Sequence, residues 1–164
     1  MASLQTSMLL RIAPLVSSSF CIWFAWDQYY FLHLFTTPTV RPKAGLVLPS
    51  YMKTFYPGAS ARVFFTYITT LSTSFATIYS QRQILEANES LWWYKVGLGL
   101  AAGHALFAPI IIPTIMKILK MEDNIAAQKD IMPLLARWLQ IHTVRSLTVD
   151  LWAWVCFIVA VSRQ

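Results

Sequence analysis

Charge is what this chain has least of. Only 12% of its 164 residues are Asp, Glu, Lys or Arg, about half of the roughly 25% found in an average soluble domain. Cysteine is scarce as well. Cys21 and Cys156 both fall inside apolar runs and form no CxxC pair, which argues against a disulfide scaffold and against thiol redox chemistry. No glycine-rich phosphate loop and no nicotinamide or flavin fingerprint is present. The alternating strands of an outer-membrane barrel are missing too. No two histidines stand three or four apart beside a carboxylate, so only an approach of His104 to His142 across helices would leave room for a metal. The serines read as packing residues and suggest no Ser-His-Asp triad.

What fills the chain instead is apolar. Hydrophobic residues make up 57% and aromatic residues 15%, and the mean hydropathy is +0.52. Several long apolar runs place the chain among polytopic membrane proteins, as one integral membrane domain over residues 1–164. The formal net charge of +6 would point to nucleic acid in a soluble protein. Here the basic residues flank the apolar runs, as membrane topology requires. The expected partner is therefore the lipid bilayer and not nucleic acid.

The pattern predicts an all-α, four-helix transmembrane bundle with helices near 12–34, 60–79, 91–119 and 131–161. The first is a retained helix, since it is long, ends in the aromatic belt WFAWDQYYFLHLF and has no small-x-small cleavage site. Asp27 lies at the edge of that belt, either as a hydrated carboxylate or as the partner of a basic residue. The segment from Thr36 to Ser60 holds Pro38, Pro42, Pro49 and Pro57, a density that predicts turns or short pieces. The second helix is rich in Ser and Thr, which in lipid bond back to their own helix or across to a neighbour.

Asn88-Glu89-Ser90 is an N-glycosylation sequon. In the third helix, Gly99 and Gly103 form a GxxxG, a spacing that suits internal contacts or homo-oligomerisation. His104 follows directly, and Pro109 and Pro113 predict a kink. Lys and Arg are concentrated between helices one and two and between helices three and four. The positive-inside bias makes those links cytosolic and both termini lumenal, with the endoplasmic reticulum as the membrane.

The chemistry gathers in the fourth helix. At helical spacing Trp138, His142, Arg145, Val149 and Trp152 share one face, with Asp150 nearby. Ionisable groups at membrane depth point into a bundle or a wet cavity. A histidine there is either a structural hydrogen-bonding residue or a general base. Arg145 either pairs with Asp150 or Asp27 to hold the bundle in register or stabilises an enolate or phenolate.

At this point the chain resembles the anthrone oxygenases, small four-helix membrane proteins of fungal aromatic polyketide pathways. HALFAPIIIPTIMKIL is similar to the family's third-helix pattern. Pro113 and Thr114 match it, while Ile115 stands where Asn is usual. LLARWLQIHTVRSL is similar to the fourth-helix pattern, in which Trp138, His142 and Arg145 fill the conserved spacing. YMKTFYPGASARVFF resembles, more weakly, a Tyr-rich linker. The resemblance implies a monooxygenase that converts an anthrone methylene to a quinone carbonyl with O₂ and no cofactor.

That chemistry requires a base, an anion stabiliser and a flat apolar pocket for a hydrophobic small molecule. His104 or His142 is the expected base and Arg145 the oxyanion partner. Trp138, Trp152 and Asp150 are expected at the substrate. Two other readings use the same residues: an isomerase or cyclase working without O₂, and a non-catalytic scaffold whose polar residues lock helices together. A transporter is disfavoured, because the helices show no inverted repeat.

Overall fold

The computed structural model describes residues 2–122 and 128–164. Of the polar link expected at 121–130, residues 123–127 lie outside the described residues. The fold is all-α, with no strand among the described residues. Its helices are α1 (Ala2–His33), α2 (Ala44–Ser80), α3 (Arg82–Ala87), α4 (Leu91–Gly103), α5 (Ala108–Lys120), α6 (Ile131–Arg145) and α7 (Leu151–Ser162). A tight 3₁₀ turn, His104–Phe107, joins α4 to α5, and a π turn, Ser146–Asp150, joins α6 to α7. Three continuous helical stretches, Gln5–Thr36, Leu91–Leu119 and Ile131–Ser162, are long and apolar enough to cross a membrane.

Where the second membrane helix was expected at 60–79, α2 begins sixteen residues earlier, at Ala44. The expectation of turns over Thr36–Ser60 therefore holds only as far as Lys43. A proline inside a helix costs about 3 kcal/mol, through one lost hydrogen bond and a ring clash. Around Pro49 that cost is outweighed. Leu48 and Met52 are fully buried against Leu32, Ile118, Ile131 and Leu135, and burying such side chains contributes about 1.5–3 kcal/mol each. Lys53, one turn further on, pairs with Glu122 beyond the end of α5. That contact holds the Glu122 carboxyl below its ordinary range, chiefly through the hydrogen bond from Lys53.

The Ser and Thr residues of α2 do both things expected of them. Thr66, Thr69, Thr73 and Ser74 bond to carbonyls one turn back. Thr70 donates to Ser17 at 2.8 Å and Thr77 to the Leu10 carbonyl at 2.9 Å, both on α1. These cross-helix bonds hold α1 against α2, while α4 packs on α7 and α5 on α6. Two apolar clusters result. One joins Leu32, Leu48, Met52, Ile111, Ile118, Leu135 and Trp138; the other joins Leu85, Tyr94, Ala101, Ala153 and Phe157.

The GxxxG pair is not the closest approach of helices. A Cβ on Gly99 would meet nothing, and one on Gly103 would touch Val149 at 3.4 Å. The close approach lies two residues earlier, at Gly97, where a Cβ would come within 2.8 Å of the buried Phe157 ring. Gly97→Ala is expected to destabilise the protein by about 1–3 kcal/mol through overpacking. Gly99→Ala should be neutral or stabilising by up to about 1 kcal/mol, from helix propensity alone. Thermal unfolding of the two variants in detergent checks this, and equal midpoints would contradict the packing.

The sequon is built into a turn. Asn88 Oδ1 accepts hydrogen bonds from the Ser90 amide at 3.2 Å and from its hydroxyl at 2.6 Å. Ser90 is buried and Glu89 takes a positive φ of 58°, so these residues shape the entry into α4.

Candidate active site

The two irregular turns face each other. Pro109 has no N–H to give to residue 105, and its ring crowds that carbonyl, so the α geometry breaks at His104–Phe107. Opposite, the π turn adds a residue to the coil between Arg145 and Leu151. In an uninterrupted α-helix Asp150 would lie roughly 140° around the axis from Arg145. The wider turn brings it back onto the same side. Arg145 Nε then donates to Asp150 Oδ2 at 3.1 Å, five residues on, and His104 Nδ1 reaches Asp150 Oδ1 at 3.0 Å.

The hydrogen bonds fix the tautomers. His104 Nδ1–H donates to the carboxylate, which leaves Nε2 as the basic nitrogen. His142 is committed at both ring nitrogens: Nε2–H donates to the Ala25 carbonyl at 2.8 Å, and Nδ1 accepts from Arg145 Nη2 at 3.0 Å. Trp138 stacks on the His142 ring at 4.6 Å between centroids and 14° between planes. Only Nη1 of the Arg145 guanidinium, together with the second Nη2 hydrogen, has no hydrogen bond among the described residues. His142 is 1% and Asp150 4% exposed, so this chain of groups is held away from water and lipid. In the stretches Gln5–Thr36, Leu91–Leu119 and Ile131–Ser162 it falls between the segments that build the two apolar clusters.

Of the cavities that touch these groups, one reaches His104 and Arg145. It has a volume of about 470 Å³ and is lined by Tyr67, His104, Trp138, Arg145 and Gln28 at its polar side. Elsewhere its wall is mainly apolar and includes Met52, Phe55, Phe64, Ile68, Ile111 and Ile115. Tyr67 lies against the imidazole of His104, with 3.8 Å between ring centroids and a tilt of 37°. Its hydroxyl interacts with the Asp150 carboxylate. Tyr67 and Gln28 were not singled out by the sequence. Tyr67 sits among the many hydroxyl-bearing residues of α2 and Gln28 within the aromatic end of α1, with no spacing to mark either.

His104, His142, Arg145, Asp150 and Trp138 are thus brought together, with Arg145 paired to Asp150, one of the two pairings expected. Asp150 touches Arg145 and His104 rather than the cavity. Trp138 has one face covered by His142. His142 has no free nitrogen for a proton. Trp152 does not join them: it is 55% exposed and lines no part of this cavity. The physical reason is the π turn, whose extra residue rotates everything after it by about 100°. Asp27 makes no ion pair among the described residues. Among those residues no three His, Cys, Asp or Glu side chains come together as metal ligands. Beside His104 and Asp150, the third position is taken by the Arg145 guanidinium.

No family model and no solved structure matches the chain. Its similarities to curated sequences run nearly end to end. Epoxidase gkaX of Penicillium citrinum is 29% identical over 161 residues, covering 96% of both chains. Probable epoxidase scpX of Mollisia scopiformis is 28% identical over 93% of each. Oxaleimides biosynthesis cluster protein N of Penicillium oxalicum is 25% identical over 89% of this chain and 84% of its own. The chain is therefore similar, along almost its whole length, to fungal biosynthetic proteins that include enzymes named epoxidases.

Proposed function

We propose that this chain is a membrane-embedded oxygenase of fungal secondary metabolism that epoxidises a hydrophobic substrate with O₂. The observation that carries the reading is the His104–Asp150–Arg145 chain opening onto a mainly apolar cavity. The names of the relatives supply the outcome, an epoxide. The substrate is a molecule with an acidic C–H or O–H conjugated to a carbonyl and an alkene, and it provides the electrons itself. In sum, it gains one oxygen atom and loses two hydrogens, and the second oxygen leaves as water. The anthrone-to-quinone conversion has the same balance, which is why the resemblance and the epoxidase names meet in one site chemistry.

His104 Nε2 takes the proton. The imidazolium that forms is stabilised through Nδ1–H by Asp150, as a carboxylate does for a catalytic histidine. Arg145, always charged, stabilises the enolate through Nη1 in surroundings where water does not screen it. His142 is a positioning residue: it holds the guanidinium from behind and is itself held by Ala25 and Trp138. No cofactor is required for this cycle, because electron-rich enolates react with O₂ directly.

The outer faces support four membrane spans. Phe64, Phe65, Ile68 and Phe75 of α2 are exposed like Phe20, Trp23 and Trp92 on the other helices, a belt of apolar side chains suited to lipid. The site then lies near mid-membrane, where apolar substrates and O₂ both partition. By the charge bias the termini are lumenal in the endoplasmic reticulum.

Deleting the gene in the organism that carries it, under ¹⁸O₂, tests the reading. A metabolite carrying one labelled oxygen should vanish and a precursor with two more hydrogens and no label should accumulate. Loss of an unlabelled product would instead indicate an isomerase or cyclase. An unchanged profile would leave the scaffold reading.

A further inference from the structure

The site as described has a base and an anion stabiliser, and its one acid is the imidazolium that His104 becomes, which Asp150 holds in its charged form; the proposed cycle needs a further proton donor. Once the substrate carbanion has formed a C–O bond with O₂, the electron pair from the broken C–H bond has reduced O₂ to a peroxide anion. The far oxygen cannot leave as it stands. It needs a proton, so that when the substrate's second hydrogen, now an enol O–H, leaves as a proton, the enol carbon can attack the near oxygen, closing the second C–O bond of the epoxide as the O–O bond breaks and hydroxide departs. That hydroxide and the released proton become the water.

We propose that Tyr67 is the catalytic residue that gives this first proton to the terminal peroxide oxygen, an inference that rests on the oxygenase reading. Three observations converge on it. Tyr67 lines the cavity beside His104 and Arg145. Its ring lies on the His104 imidazole, so its hydroxyl is carried on the same rigid assembly as the base. That hydroxyl has Asp150 as its side-chain neighbour and brings a proton to the cavity side, whereas both nitrogens of His142 and the Nδ1 of His104 are committed. The protons balance over the cycle. His104 gains the proton taken from the substrate, Tyr67 loses one to the peroxide, and transfer from the imidazolium to the neighbouring phenolate resets both.

The test is Tyr67→Phe in the organism carrying the gene, beside wild type and deletion, under ¹⁸O₂, with membrane levels of each protein followed by immunoblot. Phe keeps the ring on His104 and removes only the acid. The singly labelled product is expected to fall on the order of a hundredfold. A doubly labelled hydroperoxide, destroyed when extracts are treated with triphenylphosphine, should appear in its place. Tyr67→Leu, which also removes the ring, separates packing from proton transfer. If packing were all, Phe would match wild type and only Leu would lose product.

Wild-type amounts of singly labelled product from Tyr67→Phe would overturn the role of Tyr67 and leave the oxygenase reading standing. Loss of the Phe variant from the membrane would also overturn it, by making the hydroxyl structural. A profile unchanged by deletion would remove the oxygenase reading and this proposal with it.

Discussion

Asp150→Ala is expected to cost about 3–5 kcal/mol of stability, because it leaves the Arg145 charge buried with no counter-ion. Asp150 is the one carboxylate in contact with that guanidinium among the described residues, and both of its oxygens are used. The loss should reach beyond the ion pair. The π turn brings Asp150 across to Arg145, so without that attraction the segment from Ser146 can relax to α geometry and turn α7 against α1 and α4. Asp150→Asn keeps the shape and one acceptor, and its effect on stability should be clearly smaller. Thermal unfolding followed by the fraction of monodisperse protein left in detergent reads the difference. An alanine variant that melts with wild type would mean that Arg145 is solvated, and the buried site described here would be wrong.

The other large effect is on turnover. His104→Gln should lower product formation by about 10²–10⁴-fold, the usual contribution of a positioned general base, with little change in unfolding. Glutamine can still donate to Asp150 from its amide and leaves the ion pair with Arg145 intact. His142→Ala should behave differently. It takes the acceptor from Arg145 Nη2 and opens a space beside the Trp138 ring, so stability and turnover should fall together. The pair of variants thus separates the base from the positioning residue. If His142→Ala stays as stable as wild type while turnover collapses, the two assignments are reversed.

These expectations differ from those read off the sequence, and the difference has a physical origin. Periodicity places Trp138, His142, Arg145 and Trp152 on one face, and for the first three that is where they lie. In unbroken α geometry Trp152 would sit within roughly 20° of Arg145. The π turn between them moves Trp152 out to lipid and Asp150 inward. Nothing in the local residues Ser146–Asp150 announces such a turn; it exists because Arg145 and His104 both draw the carboxylate to them. Pro109, by contrast, announces its own effect, and the helix breaks within the turn before it. Pro49 does not break α2, because long-range burial of Leu48 and Met52 outweighs the local penalty. Tyr67 and Gln28 were invisible for another reason: they reach the site from other helices, and only packing brings them to it.

The central claim is that the substrate supplies the electrons and this chain the base, the anion site and the dry cavity. The most direct measurement uses protein purified into lipid nanodiscs, with the precursor isolated from the deletion strain and air as the oxidant. No reductant is added. The account predicts one O₂ consumed per product, one of its atoms in the epoxide, and the same rate whether or not a reduced nicotinamide is supplied. Turnover that starts only when a reductant is added, giving a product that keeps all its hydrogens, would contradict it.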